Sequence, residues 1–153
     1  MNPAWLLLAC CCLLAARAHG ATVSVIADGF TWVENLAFDG RGAAFVSDLA
    51  HGTITKLAYN ASTQTYDKTL WASGFKKVLG LSVDPSAPHV IYAVGDTLDD
   101  KPFVAMVGTD QPQQVKIIIP DLQNGTGNGL GVYHANGMVY TVRGDPFPLG
   151  GLV

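Results

Sequence analysis

The sequence predicts an all-β protein, and three observations support that class. Short apolar stretches with a period of two recur along the chain after the first twenty residues. Turns that contain glycine or proline separate these stretches. After those twenty residues, no window of a dozen residues carries a helical apolar stripe that glycine or proline does not interrupt. A self-similar pattern with a spacing of 45 to 49 residues then narrows the class to the four-stranded blades of a β-propeller.

The first twenty residues are expected to lie outside this fold. An apolar run from Trp5 to Ala16 precedes two small-x-small sequences, Ala16-Arg17-Ala18 and Ala18-His19-Gly20, which is typical of a secretory signal peptide. The run is shorter than the roughly 20 residues that a membrane-spanning helix needs. We therefore expect a signal peptide at 1–20 and a mature domain at 21–153. The protein would be secreted, or periplasmic in a bacterium, and would have no membrane contact after cleavage.

The cysteines and the glycosylation sequons agree with this interpretation. Cys10, Cys11 and Cys12 all lie inside the predicted signal peptide, so the mature domain is expected to have neither a disulfide nor a cysteine-ligated metal. The sequences Asn60-Ala61-Ser62 and Asn124-Gly125-Thr126 are N-glycosylation sequons and predict a glycoprotein if the host is a eukaryote.

The charge distribution excludes two classes of partner. The chain has nine basic and twelve acidic residues and a net charge of −3, and its basic residues do not cluster. Nucleic acids and anionic membranes are therefore not expected partners. Eleven of the acids are aspartates, and Glu34 is the only glutamate.

The repeat is visible when Ile26–Leu36 is aligned with Trp71–Leu81 at an offset of 45 residues, without a gap. An alanine, a Gly-Phe pair, a valine and a leucine coincide in the two copies. A third copy follows, in which Leu130 stands where Leu36 and Leu81 stand in the others. A β-sandwich is the alternative fold, but a sandwich does not require such strand-by-strand similarity.

The strands of each copy define the expected blades. Further strands are predicted at 44–48, 53–57, 68–71, 91–96, 103–107, 115–119 and 138–142. The blades would lie near 36–71, 79–119 and 129–153, the last of them incomplete. Residues 22–27 align with the outermost strand of a blade, which in a closed ring joins the last blade. Trp32 and Trp71, in adjacent copies, are expected to pack between blades.

The expected architecture is therefore an incomplete β-propeller of about two and a half four-stranded blades. A closed ring needs at least about four blades. The chain would have fewer blades than a closed ring needs if it were a truncated product, a fragment or an incomplete gene model. Self-association of several copies through open blade edges is the alternative, because an unpaired strand edge is a template for pairing.

The opening motifs resemble a known family. Trp32–Asp39, followed by Phe45–Asp48 and Gly52–Ile54, resembles the first blade of the senescence-marker-protein/gluconolactonase (regucalcin-like) family. Asn128-Gly129-Leu130 resembles a later Asn-Gly motif of that family, whereas Asn35 stands where the family usually has glycine. The resemblance implies a six-bladed ring and one divalent cation, usually calcium, in the central channel. It also implies that a glutamate of the first blade is a ligand, together with asparagine and aspartate from later blades.

The register of the repeat points to the same two residues. Glu34 of the first copy corresponds to Leu79 of the second and to Asn128 of the third. Equivalent positions at the head of the inner strands would all face the axis, so Glu34 and Asn128 are the predicted metal ligands. Oxygen donors of this kind suit Ca²⁺, and less exclusively Mg²⁺ or Mn²⁺. The alternative is a solvated glutamate and an ordinary Asn-Gly turn.

The leading functional hypothesis is a secreted, calcium-binding hydrolase of the gluconolactonase type that acts on a small lactone or ester. Its catalytic residues are not identifiable, and the missing blades would supply further ligands. A non-catalytic NHL-type propeller that binds protein or glycan is one alternative, and a strictosidine-synthase-like enzyme is another. Three aspartates that end second strands, Asp48, Asp96 and Asp145, are expected to bind nearby backbone N–H groups. The histidines His51, His89 and His134 are expected in turns or on the surface.

Overall fold

The computed structural model describes residues 24–122, 126–133, 138–144 and 151–152. These ranges contain β-strands and no helix, so they include no helix that is long and apolar enough to cross a membrane. The predicted signal peptide, Asn124, His134 and Asp145 lie outside the described residues. The all-β class predicted from the period-two pattern is confirmed.

The strands form two four-stranded antiparallel sheets and one three-stranded sheet. The first sheet contains, in spatial and chain order, β1 (Val33–Phe38), β2 (Ala43–Asp48), β3 (Thr53–Asn60) and β4 (Thr65–Ala72). The second sheet contains β5 (Lys77–Asp84), β6 (Ala87–Asp96), β7 (Pro102–Gly108) and β8 (Val115–Ile119). The third sheet has the spatial order β11 (Gly151–Leu152), β10 (Met138–Gly144) and β9 (Thr126–Tyr133).

The hydrogen-bond register reproduces the sequence repeat. Leu36 of β1 is opposite Val46 of β2, and Leu81 of β5 is opposite Ala93 of β6. In the third sheet, Leu130 of β9 is opposite Thr141 of β10. The leucines that matched in the sequence therefore occupy the same place in the inner hairpin of each sheet.

The first two sheets share an apolar core. Phe45 and Trp71 of the first sheet meet edge to face, with their ring centroids 5.7 Å apart. Phe75 stacks on Phe103 at 4.8 Å, and Leu81 is buried in the same cluster. Burial of large side chains of this kind stabilises a fold by about 1.5–3 kcal/mol each, so this interface is the main apolar core of the described residues.

Polar bonds close the rim of that interface. The indole Nε1 of Trp71 donates to the carbonyl of Gly108 at 2.6 Å. Arg41 donates to the hydroxyl of Thr109. Lys56 donates to the carbonyl of Thr109 at 3.2 Å, and its ammonium lies 4.2 Å from the centre of the Trp71 ring. These bonds satisfy polar groups at the boundary of the core.

The start of the domain differs from one expectation and leaves another untested. Residues 24–30 form no strand, and Ala27 and Phe30 pack on the first sheet against Ala44, Val46 and Leu57. The strand predicted at 22–27 would pair with the last blade of a closed ring, which the described residues do not include, so that expectation stays a prediction. Trp71 is buried between the sheets as predicted, but Trp32 is 60% exposed. Trp32 precedes β1 at the end of the sheet, where the second sheet does not cover it.

Candidate functional site

Glu34 occupies a β-bulge at the start of the innermost strand. In the pairing of β1 with β2, Val33 is opposite Asp48 and Asn35 is opposite Ser47, so Glu34 is the extra residue between two paired ones. Its side chain is exposed. Bulges redirect side chains and are common beside active sites. This one presents the only glutamate of the chain at the end of the sheet.

The same irregularity recurs at the residue that the sequence alignment selected in each copy. In the second sheet Val78 is opposite Gly95 and Gly80 is opposite Val94, which leaves Leu79 as the extra residue. In the third sheet Gly127 is opposite Arg143 and Leu130 is opposite Thr141, so Asn128 and Gly129 together span the place of Val142. Each inner strand is therefore bulged at the corresponding point.

The bulges lie on neighbouring inner strands. Strand β1 packs against β5, and β5 packs against β9. Glu34 and Leu79 therefore lie near the start of adjacent strands, and the backbone of Asn128 lies in the strand after them. The structure describes the backbone of Asn128 but not its side chain. Leu79 is buried whereas Glu34 is exposed, so the fold does not by itself require a polar residue at this point.

The buried hydroxyl of Ser47 links the first two bulges. It accepts a hydrogen bond from the backbone N–H of Asn35 at 3.0 Å and donates to the carbonyl of Leu79 at 3.2 Å. One side chain therefore satisfies a polar group beside Glu34 and another at the equivalent residue of the next sheet. We infer that Ser47 fixes the position of the first bulge relative to the second, a role that the sequence did not indicate.

A buried carboxylate holds the turn beside this site. Asp48 accepts hydrogen bonds from the backbone N–H groups of Thr31 (2.9 Å), Trp32 (3.2 Å) and Ala50 (3.1 Å). Its other contact is the Nδ1 atom of His51 at 3.1 Å. Burial raises the pKa of Asp48, but the donors from Thr31, His51 and Trp32 outweigh that effect and lower the pKa to about 2.

The expected role of Asp48 as an acceptor for backbone N–H groups agrees with these bonds. Asp96 differs, because its buried carboxylate lies 3.4 Å from the ammonium of Lys77. His51 is in an exposed turn as expected, but its contact with Asp48 was not predicted. The spacing of three residues in Asp48-Leu49-Ala50-His51, within one tight turn, was the available signal.

The described residues do not form a complete metal centre. They contain no group of three or more His, Cys, Asp or Glu side chains arranged around one point. The first sheet supplies Glu34 and the third supplies the Asn128 position. A cation at the bulges would therefore also need donors from outside the described residues.

A cleft of about 370 Å³ lies at the far end of the interface between the first two sheets. Its cationic groups already have partners: Arg41 lies 3.2 Å from Asp110, and Lys56 donates to the backbone carbonyl of Thr109. These contacts explain the cleft as a structural clamp, and we assign it no ligand.

Comparison with known proteins identifies the fold. No family model matches the sequence, and no curated protein does. The structure is similar to that of a luciferin-regenerating enzyme, with a TM-score of 0.63 and 11% identity, over 80% of this chain and 40% of that one. It is also similar to a PQQ-bound aldose sugar dehydrogenase from Streptomyces coelicolor, with a TM-score of 0.59 and 20% identity, over 81% of this chain and 41% of that one. Both are propellers.

The chain has a β-propeller fold. Each described sheet is a blade, and the three blades follow one another in chain order. The chain spans about two fifths of the length of each of these structures. At these identities the likeness establishes the fold alone, so the activities in the two names belong to those proteins.

Proposed function

We propose that this chain forms part of a secreted, six-bladed propeller that binds one calcium ion in its central channel and hydrolyses a lactone or an ester. The recurring bulge carries the proposal. It occurs at the same point of three consecutive inner strands, and two of the three residues at that point, Glu34 and Asn128, have oxygen donors.

The proposal gives Glu34 the strongest role among the described residues. Its carboxylate is exposed at the head of the innermost strand of the first blade, and the bonds of Ser47 and Asp48 hold the backbone on both sides of it. Calcium accepts six to eight oxygen ligands at 2.3–2.6 Å. Glu34 and Asn128 would be two of them, and the other blades of the ring would supply the rest.

Calcium would polarise the carbonyl of the ester or lactone and stabilise the oxyanion that forms on hydrolysis. Of the described residues, Glu34 would help to hold the ion, and Ser47 would fix the backbone beside it. They do not identify the base that would activate water. The resemblance of the opening blade to the gluconolactonase family supports this reaction class.

Calorimetric titration with calcium tests the proposal on a protein that contains all the blades of the ring, because the other blades would supply the remaining ligands. We expect one site, which Glu34→Gln abolishes because the amide removes the negative charge and one of the two anionic donor oxygens. Asp28→Asn is the matched control, since it removes an equivalent exposed charge in the segment before β1 and should leave binding unchanged. An equal loss in both variants, or no calcium-dependent heat in the unmodified protein, would contradict the proposal.

A non-catalytic binding propeller is the second candidate, and the exposure of Trp32 favours it. An exposed indole is a frequent anchor of interfaces, and Trp32 lies two residues before Glu34. The absence of calcium binding, together with unchanged thermal unfolding in a chelator, would favour this candidate over the hydrolase.

A further inference from the structure

The hairpin turn between β3 and β4 carries the sequon Asn60-Ala61-Ser62 at its tip. Asn60 pairs with Thr65 at the last position of the hairpin, and every residue from Ala61 to Thr65 is exposed. An N-linked glycan is bulky and hydrophilic, so it requires a surface loop. This turn meets that requirement in the folded protein.

Two hydrogen bonds orient the side-chain amide of Asn60. The backbone N–H of Ser62 donates to the Oδ1 atom of Asn60 at 3.0 Å, and the Nδ2 atom of Asn60 donates to the Oδ2 atom of Asp67 at 2.9 Å. The first bond forms an Asx-turn inside the sequon. Because it joins residues only two apart, it can form before the rest of the chain has folded.

These two bonds act in the same direction on the amide. A donor at Oδ1 draws electron density away from the Nδ2 N–H bonds, and polarisation of this kind is transmitted along hydrogen-bond chains. The acceptor on Asp67 lies where a proton of Nδ2 points. The two bonds therefore hold the Asn60 amide in one orientation and polarise its Nδ2–H bond in the same direction.

The position of the turn separates it from the candidate calcium site. Ile54 of β3 is opposite Ser47, the residue that faces Asn35 next to the bulge. Asn60 lies six residues further along β3, which is about 20 Å at 3.3 Å per residue. A glycan on Asn60 would therefore leave the bulged end of the blades open.

We propose that Asn60 is an acceptor of an N-linked glycan in the exported protein. The donor class is an oligosaccharide carried on a lipid pyrophosphate. The Nδ2 atom of Asn60 attacks the anomeric carbon and forms the N–C bond. The C–O bond to the pyrophosphate breaks, the lipid pyrophosphate leaves with the electron pair, and Nδ2 releases one proton. The proposal shares with the proposed function only the requirement for export.

Translation of the full chain, with its own residues 1–20, in the presence of endoplasmic-reticulum microsomes tests the proposal. The Asn124→Gln variant removes the second sequon, so that any glycan reports on Asn60. We expect one gel shift, reversed by an endoglycosidase, in the chains that are protected from added protease. The shift should disappear in Asn124→Gln/Asn60→Gln and in Asn124→Gln/Ser62→Ala, and it should remain in the matched control Asn124→Gln/Ser62→Thr.

Protected chains of Asn124→Gln without a glycan would overturn the proposal, and so would a glycan that persists after Asn60→Gln. A chain that does not enter the microsomes also overturns it, because modification requires export. The calcium measurement is independent: Asn60→Gln should bind calcium as the unmodified chain does. Failure of glycosylation and failure of calcium binding are thus distinguishable.

Discussion

The first and second blades are built on the same repeat, yet equivalent residues have opposite environments. Leu36 of the first blade is 45% exposed, whereas Leu81, at the same point of the second blade, is 4% exposed. Phe38 is 65% exposed, and its counterpart Val83 is half-buried against the shared core. The repeat therefore determines which face of a strand is apolar, but the neighbouring blade determines whether that face is buried.

The difference follows from the stacking of the blades. The face of the second blade that contains Leu81 packs against Phe45 and Trp71 of the first. No described blade covers the equivalent face of the first blade. Only Ala27 and Phe30, from the segment before β1, pack there against Ala44, Val46 and their neighbours. The exposed residues Leu36 and Phe38 thus belong to the same kind of surface that is buried in the second blade.

The largest expected effect tests this comparison directly. Leu81→Ala should lower the free energy of unfolding by about 3 kcal/mol, because it leaves a cavity in the core between the blades. Leu36→Ala is the matched variant and should cost less than about 1 kcal/mol, since much of its side chain is already in water. Urea unfolding of the two variants measures the difference. Equal losses would show that the face with Leu36 is also covered in solution.

A smaller effect is expected from the bond that joins the two blades at their bulges. Ser47→Ala should lower the free energy of unfolding by about 1–3 kcal/mol, because the N–H of Asn35 and the carbonyl of Leu79 each lose a partner. Ser86→Ala removes an exposed hydroxyl that bonds Asp84 within the second blade and should change stability much less. A similar cost for both variants would contradict the special role of Ser47.

The smallest expected effect distinguishes the blades by their response to acid. Asp48 of the first blade is opposite Val33, where the second blade has Gly95 opposite Val78. The pKa of Asp48 is lowered from 3.8 to about 2 in the folded protein. The ionised carboxylate therefore stabilises the fold fully at a pH above the pKa that Asp48 has in the unfolded chain. That effect decreases as the pH falls from about 4 to 2.

Amide hydrogen exchange at pH 5 and pH 2.5 measures this effect. The backbone N–H groups of Thr31 and Trp32 donate hydrogen bonds to Asp48. Their protection from exchange should fall by more than the protection of the amides in the second blade. Asp48→Asn should remove most of the pH dependence at these amides. A uniform loss of protection across both blades would show that acid acts on the molecule as a whole and not through Asp48.

Much of the fold could be predicted because the repeat is local in sequence. The match of Leu36, Leu81 and Leu130 reflects hydrogen-bond register within each hairpin, and register depends on alternation and turns close in the chain. The equivalence of Glu34, Leu79 and Asn128 was predictable for the same reason. The bulge at these residues was not, because an unpaired residue leaves no signature in an alternating pattern.

The sequence alone determined the all-β class, the repeat and the alignment of Glu34 with Asn128, since each depends on residues that are neighbours along a strand or a hairpin. The tertiary structure decided which apolar faces are buried, why Trp71 is enclosed while Trp32 is exposed, and that Ser47 joins one blade to the next. These features depend on which blade packs against which. A side chain is buried by atoms that lie far from it in the sequence, and a local pattern carries no record of them.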